Sequence, residues 1–178
     1  MDFNPDEYFK SSDKSNGNED RYVFTEKLFN GMGNEIDIAA DFIKEKEGFS
    51  PKYIGDADGA SIGYGFFTKK PDLKKTMTKN EADTILHDKL INEFEPYLKR
   101  YVPDYNSLND NMKAALLSYI YNVGPENFNK QTKLLGAISN KDWESAAGYI
   151  RNGIRTSQGK VLNGLVRRRN EEAELFLS

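Results

Sequence analysis

The apolar residues of this chain fall into a helical pattern from Asn34 onward. Gly48 follows this pattern at the position where a glycine commonly ends a helix. Residues 53–68 are short, punctuated by glycine and rich in Tyr, Ile and Phe, which predicts a small β-hairpin or meander. Four apolar residues of the helical segment recur at i, i+3, i+4 and i+7, the spacing of one helix face: Ile36, Ala39, Ala40 and Ile43.

A second helix is signalled by a capping box. Thr78 and Glu81 have the spacing in which each side chain bonds to the backbone of the other residue. We expect this helix to extend from residue 78 to about residue 100, with a kink or break near Pro96 because proline lacks the helix N–H.

The remainder of the chain has helical periodicity throughout. A helix beginning at Asn109 or Asp110 should stop at Gly124, and two shorter helices are expected over residues 131–138 and 141–150. The final helix is predicted to carry one apolar stripe: Leu162, Leu165, Val166, Ala173, Phe176 and Leu177. One helix, a small sheet and then a helical bundle define the α+β class with segregated elements.

Composition narrows the class of protein further. The 178 residues, 38% hydrophobic and 30% charged, fit one globular domain or one domain with an appendage. No apolar run is long enough to cross a membrane. The chain has no cysteine and one histidine, His87, so we expect no disulfide, no metal and no cofactor.

Charge separates the first residues from the rest. Residues 1–33 contain seven acidic and four basic residues, whereas residues 34–178 contain 21 of each sign. We therefore expect an acidic extension over 1–33, partly disordered or docking on the body or a partner through the aromatic segment 22–29, and a globular domain over 34–178. The neutral body gives no indication of nucleic-acid binding.

Two carboxylates in contrasting settings are the candidate chemistry. Glu47 lies in the last turn of the first predicted helix, where the partial negative charge favours a protonated carboxyl. Asp56 lies in a glycine-flanked turn, where it should remain ionised. A glycosidase needs one carboxyl group in each state. Asp58 is a rival to Asp56, and helix-end and Asx-turn roles explain all three residues without catalysis.

A family resemblance changes this balance. Glu47, eight intervening residues, Asp56 and then a hydroxyl residue before Ile-Gly-Tyr-Gly resemble the active-site signature of phage-type lysozymes, glycoside hydrolase family 24. Three further stretches resemble the family in the same order, so that the resemblance covers about residues 36–178: Ala114 to Gly124, Trp143 to Ala147, and Gly164 to Phe176.

The resemblance implies a lysozyme-like fold with a small sheet-bearing lobe and a larger helical lobe, joined by a long helix over residues 78–100. It also implies a muramidase that hydrolyses the β-1,4 bond between N-acetylmuramic acid and N-acetylglucosamine in peptidoglycan. By the same analogy Glu47 is the general acid, Asp56 is the carboxylate opposite it, and Ser61 helps to place the attacking water. The family is regarded as inverting, which requires room for a water between the carboxylates.

Further residues carry over from the family as substrate contacts or supporting groups. Phe67 and Tyr121 match positions that line the cleft, Thr132 and Tyr149 match polar contacts of the helical lobe, and Arg168 or Arg169 is expected to pair with Glu47. Helical spacing places Arg169 nearest the packed face and leaves Arg167 in solvent.

Two positions depart from the family pattern. Four residues, where the family usually has five, separate Asp56 from Ser61, and this serine replaces a threonine. Phe66 stands where the family often has a histidine. Because serine has more rotamer freedom than threonine, the sequence predicts an active enzyme whose water is held less firmly.

Two other functions remain open at this stage. A lytic transglycosylase needs the glutamate but no paired carboxylate, and a module with a shortened turn would bind peptidoglycan or build a virion without catalysis. The start of the chain shows no secretory signal, so we expect the protein in the host cytoplasm until its release to the cell wall, or mounted on a virion. The peptidoglycan glycan strand is the expected partner, and residues 1–33 are expected to attach the chain to a virion or to act with an inhibitory partner.

Overall fold

A computed structural model describes residues 34–178, except Ala57, Gln158 and the side chains of Asp56 and Ser157. The predictions for residues 1–33 lie outside this range. The described chain divides into two compact units, one formed by residues 47–86 and the other by residues 34–46 and 87–178.

The first helix, α1 (Asn34–Glu47), ends as the sequence predicts. Its apolar face is buried, and Gly48 has a φ of 67°, the left-handed conformation in which glycine terminates helices. Lys46 forms an ion pair with Glu171 within the second unit. Burial lowers the pKa of Lys46, but its hydrogen bonds to Glu171 and Glu45 outweigh this effect and raise it. The end of α1 is therefore anchored immediately before Glu47.

The predicted meander is a three-stranded antiparallel sheet in the first unit, with the order β1-β2-β3. Its strands are β1 (Ser50–Asp56), β2 (Gly59–Gly63) and β3 (Phe66–Thr68). The inner residues of this unit are fully or almost fully buried: Ala60, Ile62, Tyr64, Phe66, Met77, Ala82, Ile85 and Leu86.

The capping box is present in the structure. The backbone N–H of Thr78 donates to the carboxylate of Glu81 at 2.7 Å, and the backbone N–H of Glu81 donates back to the Thr78 hydroxyl at 3.2 Å. The helix that follows comprises α2 (Lys79–Lys89), a π-helical segment (Leu90–Phe94) and α3 (Glu95–Tyr101).

The disturbance predicted at Pro96 takes the form of that π-helical segment. Pro96 lies in the first turn of α3, and without an N–H it cannot donate to a carbonyl of the preceding turn. The N–H of Glu95 bonds to the carbonyl of Leu90 five residues earlier, so the helix widens upstream and is not broken at the proline. The boundary between the two units falls between Leu86 and His87, within α2.

The second unit is helical. After a short 3₁₀ turn (Tyr105–Ser107) come α4 (Asp110–Val123), α5 (Pro125–Asn129), α6 (Thr132–Ser139), α7 (Trp143–Arg151) and α8 (Asn163–Leu177). Asn109 caps α4 by accepting a hydrogen bond from the N–H of Met112, and Gly124 ends it with a φ of 78°. Residues 114–120 of α4 are buried without a break, as expected of a central helix surrounded by others.

The sequence was partly wrong about α8. Ala173 and Phe176 are buried, and Leu165 and Val166 are half-buried, but Leu162 and Leu177 at the two ends of the predicted stripe are exposed. The ends of α8 extend beyond the helices that pack against it, so the buried apolar stripe is shorter than predicted. A two-stranded hairpin, β4 (Thr156–Ser157) with β5 (Lys160–Val161), was not predicted because strands of two residues carry no periodicity.

These elements confirm the predicted α+β class, with a small antiparallel sheet and a larger set of helices. Among the described residues, no helix combines the length and apolar character needed to span a bilayer.

Candidate active site

Glu47 is the last residue of α1, and its side chain is exposed. Its carboxylate lies beside Gly65, since a Cβ built on Gly65 would be 3.6 Å from Oε2 of Glu47. Gly65 has a φ of 87° in the connection from β2 to β3, a conformation that side-chain-bearing residues rarely adopt. The first unit therefore brings this carboxylate against a turn that only glycine forms without strain.

Asp56 ends β1 and is not in the turn, contrary to the sequence-based expectation. Its backbone pairs with that of Gly59, the first residue of β2. This pairing extends β1 through Asp56. Ser61 lies two residues along β2 from Gly59 and pairs with Ile54. Asp56 and Ser61 are thus carried by one hairpin, while Asp58 is an exposed loop residue.

Phe67 belongs to the same part of the sheet. It pairs with Ser61 across β2 and β3 and is half-buried. A Cβ on Gly59 would be 2.6 Å from Cζ of Phe67 and would also collide with the carbonyl oxygen of Thr68. The aromatic ring therefore covers the backbone directly opposite Asp56. The role of Phe67 as a substrate contact stays a prediction.

Arg168 and Arg169 share a partner that the sequence did not predict. Both converge on Glu172 of the same helix, which is completely buried. Arg168 donates from Nε to Glu172 Oε1 at 3.1 Å, and a terminal nitrogen of Arg169 donates to the same oxygen at 3.2 Å. Arg169 Nε also lies 3.0 Å from Oε2, an ion-pair contact outside hydrogen-bond alignment. The expected pairing with Glu47 would join the two units and stays a prediction.

Helix α4 completes this cluster. Ser118 donates its hydroxyl proton to Glu172 at 2.7 Å, Asn122 accepts a hydrogen bond from Arg169 at 2.9 Å, and the Arg169 guanidinium lies 4.4 Å from the centre of the Tyr119 ring. Burial raises the pKa of Glu172 and lowers that of Arg169, while the opposite charges counter both shifts. The cluster ties α8 to the carboxyl-terminal half of α4.

Three expected substrate contacts lie on separate helices of the second unit. Tyr121 is half-buried in α4, with its ring 5.6 Å from that of Phe94. Thr132 is the exposed first residue of α6, and Tyr149 is an exposed residue of α7. Tyr121 is next to Asn122, so the arginine cluster holds the backbone that carries it.

No group of three or more carboxylate or histidine side chains in the described part of the chain is arranged to hold a metal ion. His87 is buried in α2, with Nε2 3.4 Å from a carboxylate oxygen of Asp37. Both residues belong to the second unit, where this contact links α1 to α2.

The sequence offered signals for some residues that it did not assign. Glu172 lies three and four residues after the two arginines, the spacing of side-chain pairs on a helix. Asn122 was recognised only as part of the end of α4. The proximity of Gly65 to Glu47 had no local signal, since the two residues are far apart in the chain.

Comparisons with known proteins agree with this architecture. The model of the phage lysozyme family matches residues 44–172. The SAR-endolysin of Enterobacteria phage P21 is 33% identical over 120 residues, which cover 66% of this chain and 68% of that relative. The chain belongs to the phage lysozyme family, a class of peptidoglycan-degrading enzymes.

Solved structures lead to the same fold. The muramidase domain of SpmX from Asticaccaulis excentricus superimposes with a TM-score of 0.70 at 26% identity, covering 79% of this chain and 95% of that one. A P22 lysozyme variant gives a TM-score of 0.66 at 27% identity, with the same coverage of 79% and 95%.

Proposed function

We propose that this protein is a muramidase that hydrolyses the β-1,4 bond between N-acetylmuramic acid and N-acetylglucosamine. The observation that carries the proposal is the position of Glu47, whose carboxylate lies against Gly65 in the same unit as the hairpin bearing Asp56 and Ser61. Family membership supplies the substrate class, and the hairpin supplies a second carboxylate.

In the proposed mechanism Glu47 donates a proton to the glycosidic oxygen as its bond to the anomeric carbon breaks. Asp56 accepts a proton from a water whose oxygen forms the new bond to that carbon, and the Ser61 hydroxyl orients this water. Direct attack by water inverts the configuration and needs a wider carboxylate separation than a covalent mechanism.

On the family resemblance we propose Phe67, Tyr121, Thr132 and Tyr149 as the sugar contacts. Phe67 presents a half-buried ring beside Ser61, and Tyr121 presents a half-buried ring on α4. Thr132 and Tyr149 are exposed polar residues suited to hydrogen bonding with a glycan strand. Arg168 and Arg169 support the site by holding Asn122 and α4 in place.

The decisive experiment follows digestion of purified peptidoglycan by turbidity, reducing-end release and product mass. The wild type should release reducing ends with uptake of one water per bond cut. Glu47→Gln and Asp56→Asn should each lower the rate by at least about 100-fold, the typical contribution of a positioned acid or base. Asp58→Asn, two residues along the same hairpin, is the matched control and should retain the rate within about twofold.

The alternatives give different results in this assay. A lytic transglycosylase would retain activity in Asp56→Asn and yield products lighter by one water. A lysozyme-like binding module would release no reducing ends even as wild type. Either result would overturn the proposed hydrolysis.

We also propose that the enzyme serves in bacterial lysis, as the name endolysin states for its relatives, and that residues 34–178 form the catalytic domain. Deleting residues 1–33 should leave peptidoglycan hydrolysis unchanged. Activity that falls to background after the deletion would place the extension within the catalytic fold.

A further inference from the structure

Tyr64 lies between two glycines, yet its side chain is buried. Gly63 and Gly65 on either side of it have φ values of 66° and 87°, yet Tyr64 is only 1% exposed. Its ring packs 5.8 Å from that of Phe49 and 6.4 Å, edge to face, from that of Phe66. The connection from β2 to β3 therefore turns its central side chain into the core of the first unit.

The phenol of Tyr64 is hydrogen-bonded to a residue of α2. It donates a hydrogen bond of 2.8 Å to Oδ1 of Asp83, a residue 19 positions later in the chain. Burial, this hydrogen bond and the charge of Asp83 all raise the pKa of Tyr64. The phenol consequently remains a proton donor across the whole range in which the enzyme is expected to work.

Tyr64 is connected to two segments of backbone that border Glu47, one through its contact with Phe49 and one through its neighbour Gly65. Phe49 follows Glu47 by two residues, at the point where the chain leaves α1 and enters the sheet. Gly65 is the residue directly after Tyr64, and its Cα faces the Glu47 carboxylate. A shift of the Tyr64 ring would therefore move the backbone after Glu47 and the backbone opposite its carboxylate.

We propose that Tyr64 and Asp83 form a positioning pair that fixes the general acid Glu47, with α2 as the support. This inference rests on the proposed function, because it takes Glu47 as the general acid. Neither residue touches the reacting atoms in this assignment. The pair acts through Phe49 and Gly65, which border Glu47 in the chain and in space.

The test compares Tyr64→Phe, Asp83→Ala and Asp83→Asn with the control Tyr105→Phe, which removes a buried phenol from the other unit. Tyr64→Phe keeps the ring and its packing, so it should fold. Tyr64→Phe and Asp83→Ala should lower kcat about tenfold with KM within about twofold, the result of a displaced catalytic group. Asp83→Asn keeps an acceptor oxygen and should recover most of the rate. Tyr105→Phe should leave kcat unchanged.

A second measurement does not depend on activity. In protein labelled with ¹³C at glutamate Cδ, the Glu47 resonance is assigned by its loss in Glu47→Gln. It should move in Tyr64→Phe and stay in place in Tyr105→Phe. An unchanged kcat and an unmoved resonance in folded Tyr64→Phe would overturn the positioning role. An active Glu47→Gln would instead refute the proposed function, whatever the resonance does. Should Tyr64→Phe not fold, the Asp83→Ala and Asp83→Asn pair decides by the same criteria.

Discussion

At the scale of single residues, the glycines around the candidate site have distinct physical roles. Gly65 combines a left-handed backbone with proximity to Glu47, whereas Gly59 has no space for a side chain because Phe67 and Thr68 cover it. The sequence predicted a glycine-rich turn but could not separate these roles, since each depends on a neighbour from another segment. Adding one methyl group at Gly59 tests the second of these roles.

Gly59→Ala should destabilise the protein by roughly 1–3 kcal/mol, the usual cost of forcing an extra methyl into a packed position. Its Cβ would collide with the Phe67 ring and the Thr68 carbonyl. Gly55→Ala in the same hairpin is the control, because its nearest contact would be an ordinary 3.5 Å. Urea unfolding measures both variants. Equal stability of the two would show that the Phe67 ring and the Thr68 carbonyl both move aside without cost.

Ser61 offers a test of the shortened hairpin. Ser61→Thr restricts the rotamers of the hydroxyl and suits a strand, so we expect kcat to rise about two- to threefold if the hydroxyl orients water. Ser61→Ala removes the hydroxyl and should lower kcat by about 10-fold, the effect of losing one hydrogen bond worth about 1.4 kcal/mol in the transition state. Reducing-end kinetics provide the measurement. A wild-type rate in Ser61→Ala would exclude a role for this residue in placing water.

At the scale of elements, the sequence predicted the helix ends that are set by hydrogen bonds between residues close together in the chain. The predicted helix ends occur in the structure: the capping box at Thr78, the glycine ends at Gly48 and Gly124, and the cap at Asn109. They could be predicted because the groups that form them lie within four residues of one another. The π-helical segment before Pro96 was foreseen only as a disturbance. The contact of Arg169 with Glu172 was not predicted, although their three-residue spacing places both on one face of α8.

The buried cluster on α8 should dominate the stability of the second unit. Glu172→Gln leaves two buried guanidinium groups without their counter-charge and should lower the free energy of unfolding by about 3–5 kcal/mol. Glu174→Gln, the same change at an exposed position of α8, should stay within about 0.5 kcal/mol of wild type. Chemical denaturation monitored by circular dichroism compares the two. A small effect at Glu172 would mean that water enters and solvates the arginines.

At the scale of the whole molecule, the order of elements was predictable and the division into units was not. Hydrophobic periodicity and four family motifs predict a helix, a sheet and a bundle in sequence. The unit boundaries fall within α1 and α2, where the helical pattern continues without a break, so no composition shift marks them. Buried phenols are likewise distributed over both units, with Tyr64 in the first and Tyr105 and Tyr119 in the second.

These phenols link the stability of the whole protein to alkaline pH. Burial raises the pKa of all three, assisted by Asp83 at Tyr64 and by Glu95 and Glu35 at Tyr105, and opposed by Arg169 and a backbone hydrogen bond at Tyr119. Above the ordinary tyrosine value of 10.0 the unfolded chain loses these protons while the folded chain keeps them. The contribution of these phenols to the free energy of unfolding is therefore complete below pH 10.0. It is lost as the pH rises further, by about 1.4 kcal/mol per pH unit for each phenol.

The same Tyr-to-Phe change should have opposite effects in the two units. The Tyr105 hydroxyl is buried, and no hydrogen-bond partner for it lies within the described residues, so Tyr105→Phe should raise the free energy of unfolding at pH 7 by about 1 kcal/mol. Tyr64→Phe removes the donor to Asp83 and should lower it by about 1–3 kcal/mol. Each variant should also show a shallower loss of stability above pH 10, because one titrating phenol is gone. Urea titrations from pH 7 to 11 measure both quantities, and equal, same-signed changes at pH 7 would show that burial alone, without the Asp83 hydrogen bond, sets the contribution of a phenol.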